Sequence, residues 1–422
     1  MPRPLYDKIA ERNASLKARF CMPGHCGEND VDGLYASAQY DWTEVEGLDN
    51  LLQSDGVILQ SERLLAQSYG YAHSLMLTGG STCAMQIAML YAKERGGSVV
   101  AIGNMHKSFY SAARLFGLDI YCFADVQQAE ECKELISCVF VTSPDYYGVV
   151  TPLKDIKEFA VRKGAALVVD EAHSAHFPYS RLLPDNAHKY ADIAFASMHK
   201  TLPVYGGGAA LFVNGGEAYE TCRKLRAELH TTSPNYLVMA SIDYAQDLMS
   251  RKGEEFYAKV KYFIEKFKMQ SAVGRVLPTD DFSRLVIKID GFDCDSVSRQ
   301  LAAGGVFAEM AYGDKLVFIV TPFNCGKLAV LGEALKHVRL DKLEEYPDID
   351  LHLSHNREIG KTVFVDFDSA LGETSAMDIG FYPPGVPTIK KGDVLDAAAI
   401  NFIKKYSTKL FGLACGKVGV LK

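Results

Sequence analysis

Ala166-Leu-Val-Val-Asp170-Glu171-Ala172-His173 and Ile193-Ala-Phe-Ala-Ser197-Met198-His199-Lys200 decide how this chain is read. Each is a short apolar run that ends in polar residues, and Lys200 follows Asp170 by thirty positions. Runs of this length without alternation fit strands buried on both faces. Two such strands would bring a carboxylate and an amine to the same edge of one sheet. Pyridoxal phosphate needs that pairing: a lysine forms the Schiff base, and a carboxylate keeps the pyridinium nitrogen protonated so that the ring accepts electrons. Either segment alone is more simply a strand end meeting water, because short motifs arise by chance. Together they favour an enzyme.

On either side of these segments, from about residue 61 to 213, strand-like runs alternate with helical stretches. The further runs are Leu75–Leu77, Ser98–Ile102, Cys138–Val141 and Ala209–Val213, and Ala84–Tyr91 has the apolar spacing of a buried helix. The alternation predicts an α/β fold, with a mostly parallel sheet covered by helices on both faces. Two further helices are expected, at Pro234–Leu248 and from about Glu254 to Met269. Beyond Val273 the pattern changes: Arg284–Ile289 is strand-like, and Phe307–Tyr312 and Lys315–Val320 flank Gly313-Asp314 as a hairpin. The expected division is an N-terminal arm over 1–60, a large cofactor-binding domain over 61–270 and a smaller C-terminal α+β domain over 271–422.

At 422 residues the chain is too long for one small core, and its 48% apolar and 23% charged content is that of an ordinary soluble protein. A net charge of -7 and a pI near 5.9 argue against nucleic acid or an anionic membrane as partner. No apolar run approaches the ~20 residues needed to span a bilayer, and the N-terminus carries no secretory signal. The ten cysteines include no C-x-x-C pair and read as reduced thiols. A cytoplasmic protein acting on a small molecule is expected.

Gly79-Gly80-Ser81-Thr82 follows the first run and opens the helix after it. Glycines let a phosphate approach the backbone, and helix N–H groups and hydroxyls supply donors. A plain helix cap is the commoner meaning of such a turn, but a phosphate-bearing cofactor is already implied. His106, in Asn104-Met105-His106-Lys107-Ser108, should reach the same edge, where its ring could stack on the pyridine; a loop histidine bonded to backbone is the plainer alternative. Thr142-Ser143-Pro144-Asp145-Tyr146-Tyr147-Gly148 closes another run with turn chemistry. Asp170 would face the pyridine nitrogen, and Ala172 is small enough to pack beneath the ring. Ser197 and His199 flank Lys200, where a hydroxyl can bind phosphate and an imidazole can relay protons. His173 and His176 suggest a metal pair, but no third ligand has matching spacing, so no metal is expected.

Taken in order, Pro23-Gly24-His25, Glu44–Asn50, Gly80–Thr82, His106–Ser108, Thr142–Pro144, Asp170–His173, Ser197–Pro203, Thr231–Pro234 and Tyr382-Pro-Pro-Gly-Val-Pro387 resemble the bacterial ornithine/lysine/arginine decarboxylases. The resemblance is to the compact form without an N-terminal wing domain. Ser-x-His-Lys is shared by several pyridoxal-phosphate families; the ordered set with His-Lys-Ser and Tyr-Pro-Pro-Gly is more selective. It implies the aspartate-aminotransferase-like fold (fold type I), a homodimer or larger assembly with active sites at the subunit interface, and decarboxylation of lysine, arginine or ornithine. It also implies Lys200 as the Schiff-base lysine, Asp170 as the pyridinium partner, His106 as the stacking ring and His199 beside the reacting centre. Gly80, Ser81, Thr82 and Ser197 become the phosphate turn and its contacts, Ala172 and His173 complete the cofactor pocket, and Thr231 and Thr232 reach a neighbouring subunit's cofactor.

Two departures fall on the substrate side: Tyr205-Gly206-Gly207-Gly208 replaces a frequent Thr-Gln pair, and Gly372-Glu373-Thr-Ser-Ala-Met377 is atypical before Tyr382. They leave open another reaction of the same cofactor, a transamination or lyase step, or a regulatory protein that binds the cofactor without turnover. For the distal cation of a basic substrate the candidates are Glu309, Asp378 and the Asp41/Glu44/Glu46 cluster.

Overall fold

The computed structural model describes residues 2–15, 37–270, 273–343, 362–382 and 384–422. Pro23-Gly24-His25 and Pro383 lie outside the described residues. Seven strands build the central sheet: β1 (His73–Leu77), β2 (Ser98–Ile102), β3 (Ile120–Phe123), β4 (Ile136–Thr142), β5 (Ala166–Asp170), β6 (Ile193–Ala196) and β7 (Ala209–Val213). Their order is β1-β7-β6-β5-β4-β2-β3. β7 runs antiparallel to both of its neighbours, and the remaining pairs are parallel. The C-terminal ends of all strands except β7 therefore lie along one edge, where the chain also enters β7.

Every residue of β2, β5, β6 and β7 is buried, which explains why those runs do not alternate. Successive side chains still point to opposite faces. Leu167, Val169 and Ala194 join one core, while Ala166, Val168, Ile193 and Phe195 join the other. Helix Gly80–Arg95 covers the second face through Ala84, Met85 and Ala88. Phe140 and Phe195 are wholly buried there, each contributing about 1.5–3 kcal/mol by leaving water.

Two elements differ from the sequence expectation. β3 escaped notice because it has only four residues, alternates in burial and sits at the sheet edge. The two helices expected after Pro234 form one helix, Tyr236–Gln270. Gly253 lies within it, and an interior glycine costs only about 1 kcal/mol, too little to break a helix so well buried. That glycine is required, because a Cβ there would collide with the Tyr179 carbonyl oxygen.

The expected hairpin is present as β10 (Met310–Tyr312) and β11 (Lys315–Ile319), turning at Gly313-Asp314. With β8 (Arg275–Val276) and β9 (Arg284–Lys288) it makes a four-stranded antiparallel sheet in the order β10-β11-β9-β8. Two three-stranded sheets follow, packed with helix Ala397–Tyr406 around Ala370, Ile379, Leu395, Ile403 and Val418. At the other end of the chain, helix Pro4–Ser15 is held by Asp243, which accepts from the Leu5 and Tyr6 amides (3.1 Å each) and from Ser61 Oγ. Among the described residues no helix is long and apolar enough to cross a membrane.

Candidate active site

Four strand ends place the candidate side chains along the one sheet edge. After β1, Gly80 adopts φ +69° and its amide donates to the Gly207 carbonyl (2.7 Å) at the entry to β7. A Cβ built on Gly80 meets nothing within 4 Å, and no side chain caps the helix that begins there. Ser81 Oγ lies 2.7 Å from Ser197 Oγ, so the turn after β1 and the turn after β6 present paired hydroxyls across β7. Thr82 is exposed beside them. The Tyr205-Gly-Gly-Gly208 departure thus lies at this turn.

After β2, His106 caps helix Lys107–Phe116: its Nδ1 accepts from the Ser108 amide (3.2 Å) and lies 2.9 Å from Ser108 Oγ. Burial is the main reason its pKa falls to about 4, with the nearby Lys200 and Lys107 amines acting in the same direction when protonated, so the ring is neutral at pH 7. Gly385 of the Tyr-Pro-Pro-Gly motif closes over it; a Cβ at Gly385 would come within 2.9 Å of the imidazole, and the Lys107 amide donates to the Gly385 carbonyl (2.7 Å).

β5 ends on Asp170, which is 6% exposed and accepts from the Ala172 amide (3.0 Å). Burial raises its pKa, against the pull of that amide and of Lys200. The adjacent Glu171 is also buried but engages Ala187 N (2.8 Å), Ser174 Oγ and Tyr71 Oη instead; burial lifts its pKa to about 7. One carboxylate of the pair thus faces the lysine and the other braces the loop.

Lys200, after β6, reaches His173: Nζ lies 3.0 Å from Nε2. Burial is the main cause of a lowered Lys200 pKa; Asp170 and Glu309 oppose it and Arg284 adds to it. His199 is anchored by its amide (3.2 Å) and Nδ1 (2.9 Å), both directed at the Gly208 carbonyl, so Nδ1 carries the proton and Nε2 is left as the basic atom.

Sequence reasoning missed two further members, Arg284 and the role of Tyr146. Arg284 opens β9 and looks like the polar start of an apolar strand, yet it is 1% exposed and bonds His173. The Tyr146 ring packs on His173 at 4.6 Å, and Tyr146 Oη donates to Glu309 Oε1 (2.5 Å). His176, considered with His173 as a metal pair, instead lies 3.2 Å from Asp281 Oδ2 and 3.0 Å from Ser283 Oγ. Of the carboxylates considered for a substrate cation, Glu309 is joined to the Lys200 cluster through Tyr146. Asp378 is paired with Arg114, and Glu44 acts on Tyr236. Thr231 and Thr232 are exposed in a loop tied to the β1 end, where His230 Nε2 accepts from the Thr78 amide (3.1 Å).

The mostly parallel sheet with its helices and the smaller antiparallel sheets make the fold that of the fold type I pyridoxal-phosphate enzymes. The chain matches the family model described as Orn/Lys/Arg decarboxylase, major domain, over residues 3–122 and 118–276, and it belongs to that family of amino-acid decarboxylases. It is 27% identical to the uncharacterized protein YaaO of Bacillus subtilis, an alignment covering 96% of this chain and 94% of that protein. An arginine decarboxylase of Halalkalibacterium halodurans is 23% identical, with 95% and 93% covered. The lysine decarboxylase LdcF of Francisella novicida superposes with a TM-score of 0.79 at 15% identity, over 100% of this chain and 81% of that one.

Proposed function

We propose that this protein decarboxylates a basic L-amino acid (arginine, lysine or ornithine) with pyridoxal phosphate bound at the edge just described. The observation that carries the reading is the convergence of Lys200, Asp170, His106 and the Ser81–Ser197 pair at one edge of the sheet. The residues fit the cofactor. The open cradle at Gly80, the uncapped helix and the two hydroxyls suit its phosphate. His106 is a neutral ring suited to stacking. Asp170 keeps one oxygen free of the Ala172 amide, and a cationic ring nitrogen beside it would offset the burial that raises its pKa.

When bound, pyridoxal phosphate supplies an aldehyde for an amine and an electron-accepting ring. Lys200 would be the amine that holds it. Asp170 would be the carboxylate that keeps the ring nitrogen protonated. Lys200, and His199 through Nε2 as its basic atom, would be the groups that return a proton to Cα. Glu309, oriented by Tyr146, is the carboxylate available to a distal ammonium or guanidinium. In a homodimer the exposed Thr231-Thr232 loop would be the segment that reaches the neighbouring site.

The test is carbon dioxide release from arginine, lysine and ornithine by cofactor-loaded protein. Release from one of them with formation of the corresponding amine is expected. Keto-acid or pyruvate formation, or no turnover of any of the three, would overturn the reading.

A further inference from the structure

We propose that Arg284 is a positioning residue that fixes His173 in its Nε2–H tautomer and so presents Lys200 as a free-base amine. The inference rests on the reading of Lys200 as the residue that holds the cofactor.

The argument follows from donors and acceptors. A guanidinium is charged at every accessible pH and can only donate. Arg284 Nη2 lies 2.8 Å from His173 Nδ1 and 3.3 Å from the His173 carbonyl, so Nδ1 must accept. An imidazole whose Nδ1 accepts is neutral and carries its proton on Nε2. Nε2 is 3.0 Å from Lys200 Nζ, so the lysine must accept that proton's hydrogen bond. An ammonium has no lone pair with which to do so. The lysine in this geometry is therefore uncharged.

The arginine is built into place. It comes from β9 of the small antiparallel sheet, whereas His173 and Lys200 follow β5 and β6 of the large one. Its stem lies against Gly148, where a Cβ would stand 2.7 Å from Arg284 Cγ and 2.8 Å from Arg284 Cβ. The Asp281 amide donates to the Gly148 carbonyl (2.9 Å), closing the same corner. Asp281 Oδ2 lies 3.9 Å from Arg284 Nε. Burial raises the Asp281 carboxyl, but His176 and Arg284 outweigh it and hold it below its ordinary range, so it supplies the counter-charge.

The other charges around Lys200 come from different elements. Asp170 at the end of β5 and Glu309 before β10 favour the ammonium, whereas burial and Arg284 favour the amine. His106 faces it from the loop after β2 and is neutral at pH 7. Among the described residues His173 is thus the one direct hydrogen-bond partner through which Arg284 acts on the amine.

The experiment uses cofactor-free protein. Pyridoxal phosphate is added over a range of pH, the covalent adduct is trapped with borohydride, and the modified lysine is located by mass spectrometry. R284M is expected to raise the midpoint of the Lys200 pH–rate profile by about one unit, slowing adduct formation below the midpoint about tenfold. The high-pH limit should be unchanged, and R284K, which keeps a charge and a donor, should restore most of the midpoint. An unmoved midpoint, or a loss at all pH values that R284K does not rescue, overturns the proposal. The unmutated protein gives an independent check should R284M not fold. Imidazole nitrogen chemical shifts should show His173 as the neutral Nε2–H form, and an Nδ1–H or imidazolium signal overturns the proposal. Adduct at Lys200 with an unmoved midpoint defeats this inference alone; no adduct at Lys200 at any pH defeats the functional reading as well.

Discussion

Arg226 and Arg284 are both buried, at 0% and 1% exposure, and they serve opposite ends. Arg226, in helix Gly216–Leu229, bonds Glu62 of helix Val57–Tyr69, whose carboxylate also accepts from the Met76 amide (2.8 Å) of β1 and from Ser54 Oγ (3.0 Å). It joins three elements through a charge that its own carboxylate cancels. Arg284 has its nearest carboxylate only at 3.9 Å and spends its best hydrogen bond on an imidazole beside a reactive amine. Among the described residues its Nε and Nη1 have no hydrogen-bond partner, whereas Arg226 leaves only Nε without one. Buried charge matched by a carboxylate fixes how elements pack; buried charge turned on a histidine sets the protonation of a neighbour. The first arrangement is strongly destabilised when one partner is lost, because the other charge stays buried.

Three changes would break or sharpen the contrast. Lys200→Ala has the largest expected effect: covalent capture of pyridoxal phosphate and carbon dioxide release should both vanish, with urea unfolding unchanged. Retained turnover in that variant would remove the lysine from the mechanism altogether. Glu62→Gln should act in the opposite sense, lowering unfolding free energy by about 3–5 kcal/mol by leaving Arg226 uncompensated. Activity per folded molecule should hold, so a selective loss of turnover would mean that the two clusters are coupled.

The smallest effect concerns Asp243, a buried carboxyl that holds helix Pro4–Ser15. Burial raises its pKa to about 6, only partly offset by Ser61 and the Tyr6 and Leu5 amides. The folded state therefore binds this proton more tightly than the unfolded chain, whose aspartate titrates near ~3.9. Its stabilising contribution grows as the pH falls from about 7 toward 5 and fades as the pH rises through 6. Relative to Asp243→Asn, the natural protein should gain about 1 kcal/mol on going from pH 7 to pH 5, measured by urea titration at both. A difference independent of pH would show that the group is already ionised in the fold.

Much of the sheet was legible because its strands are buried on both faces and read as unbroken apolar runs. Ala166–Asp170 and Ile193–Ala196 are placed as expected, and their ends meet through Lys200 and its neighbours. The hairpin at Gly313-Asp314 was legible for a similar reason, since turn residues separate two strand patterns. β3 was not, because four alternating residues carry too little periodicity to stand out. Nor was the unbroken helix through Gly253, because that glycine answers to the distant Tyr179 carbonyl and not to local helix preference.

The sequence by itself determined the fold class, the family and which residue types crowd one sheet edge, since hydrophobic pattern and motif order are properties of the chain taken locally. It also pointed to His173, but not to what His173 does. Only the tertiary structure decided that Arg284 would cross from the small sheet to His173, that Glu309 would meet Tyr146, and that Asp378 would be taken by Arg114. Those pairings join residues far apart in the chain. What selects them is the penalty of leaving a buried charge or donor without a partner, and no local pattern records it.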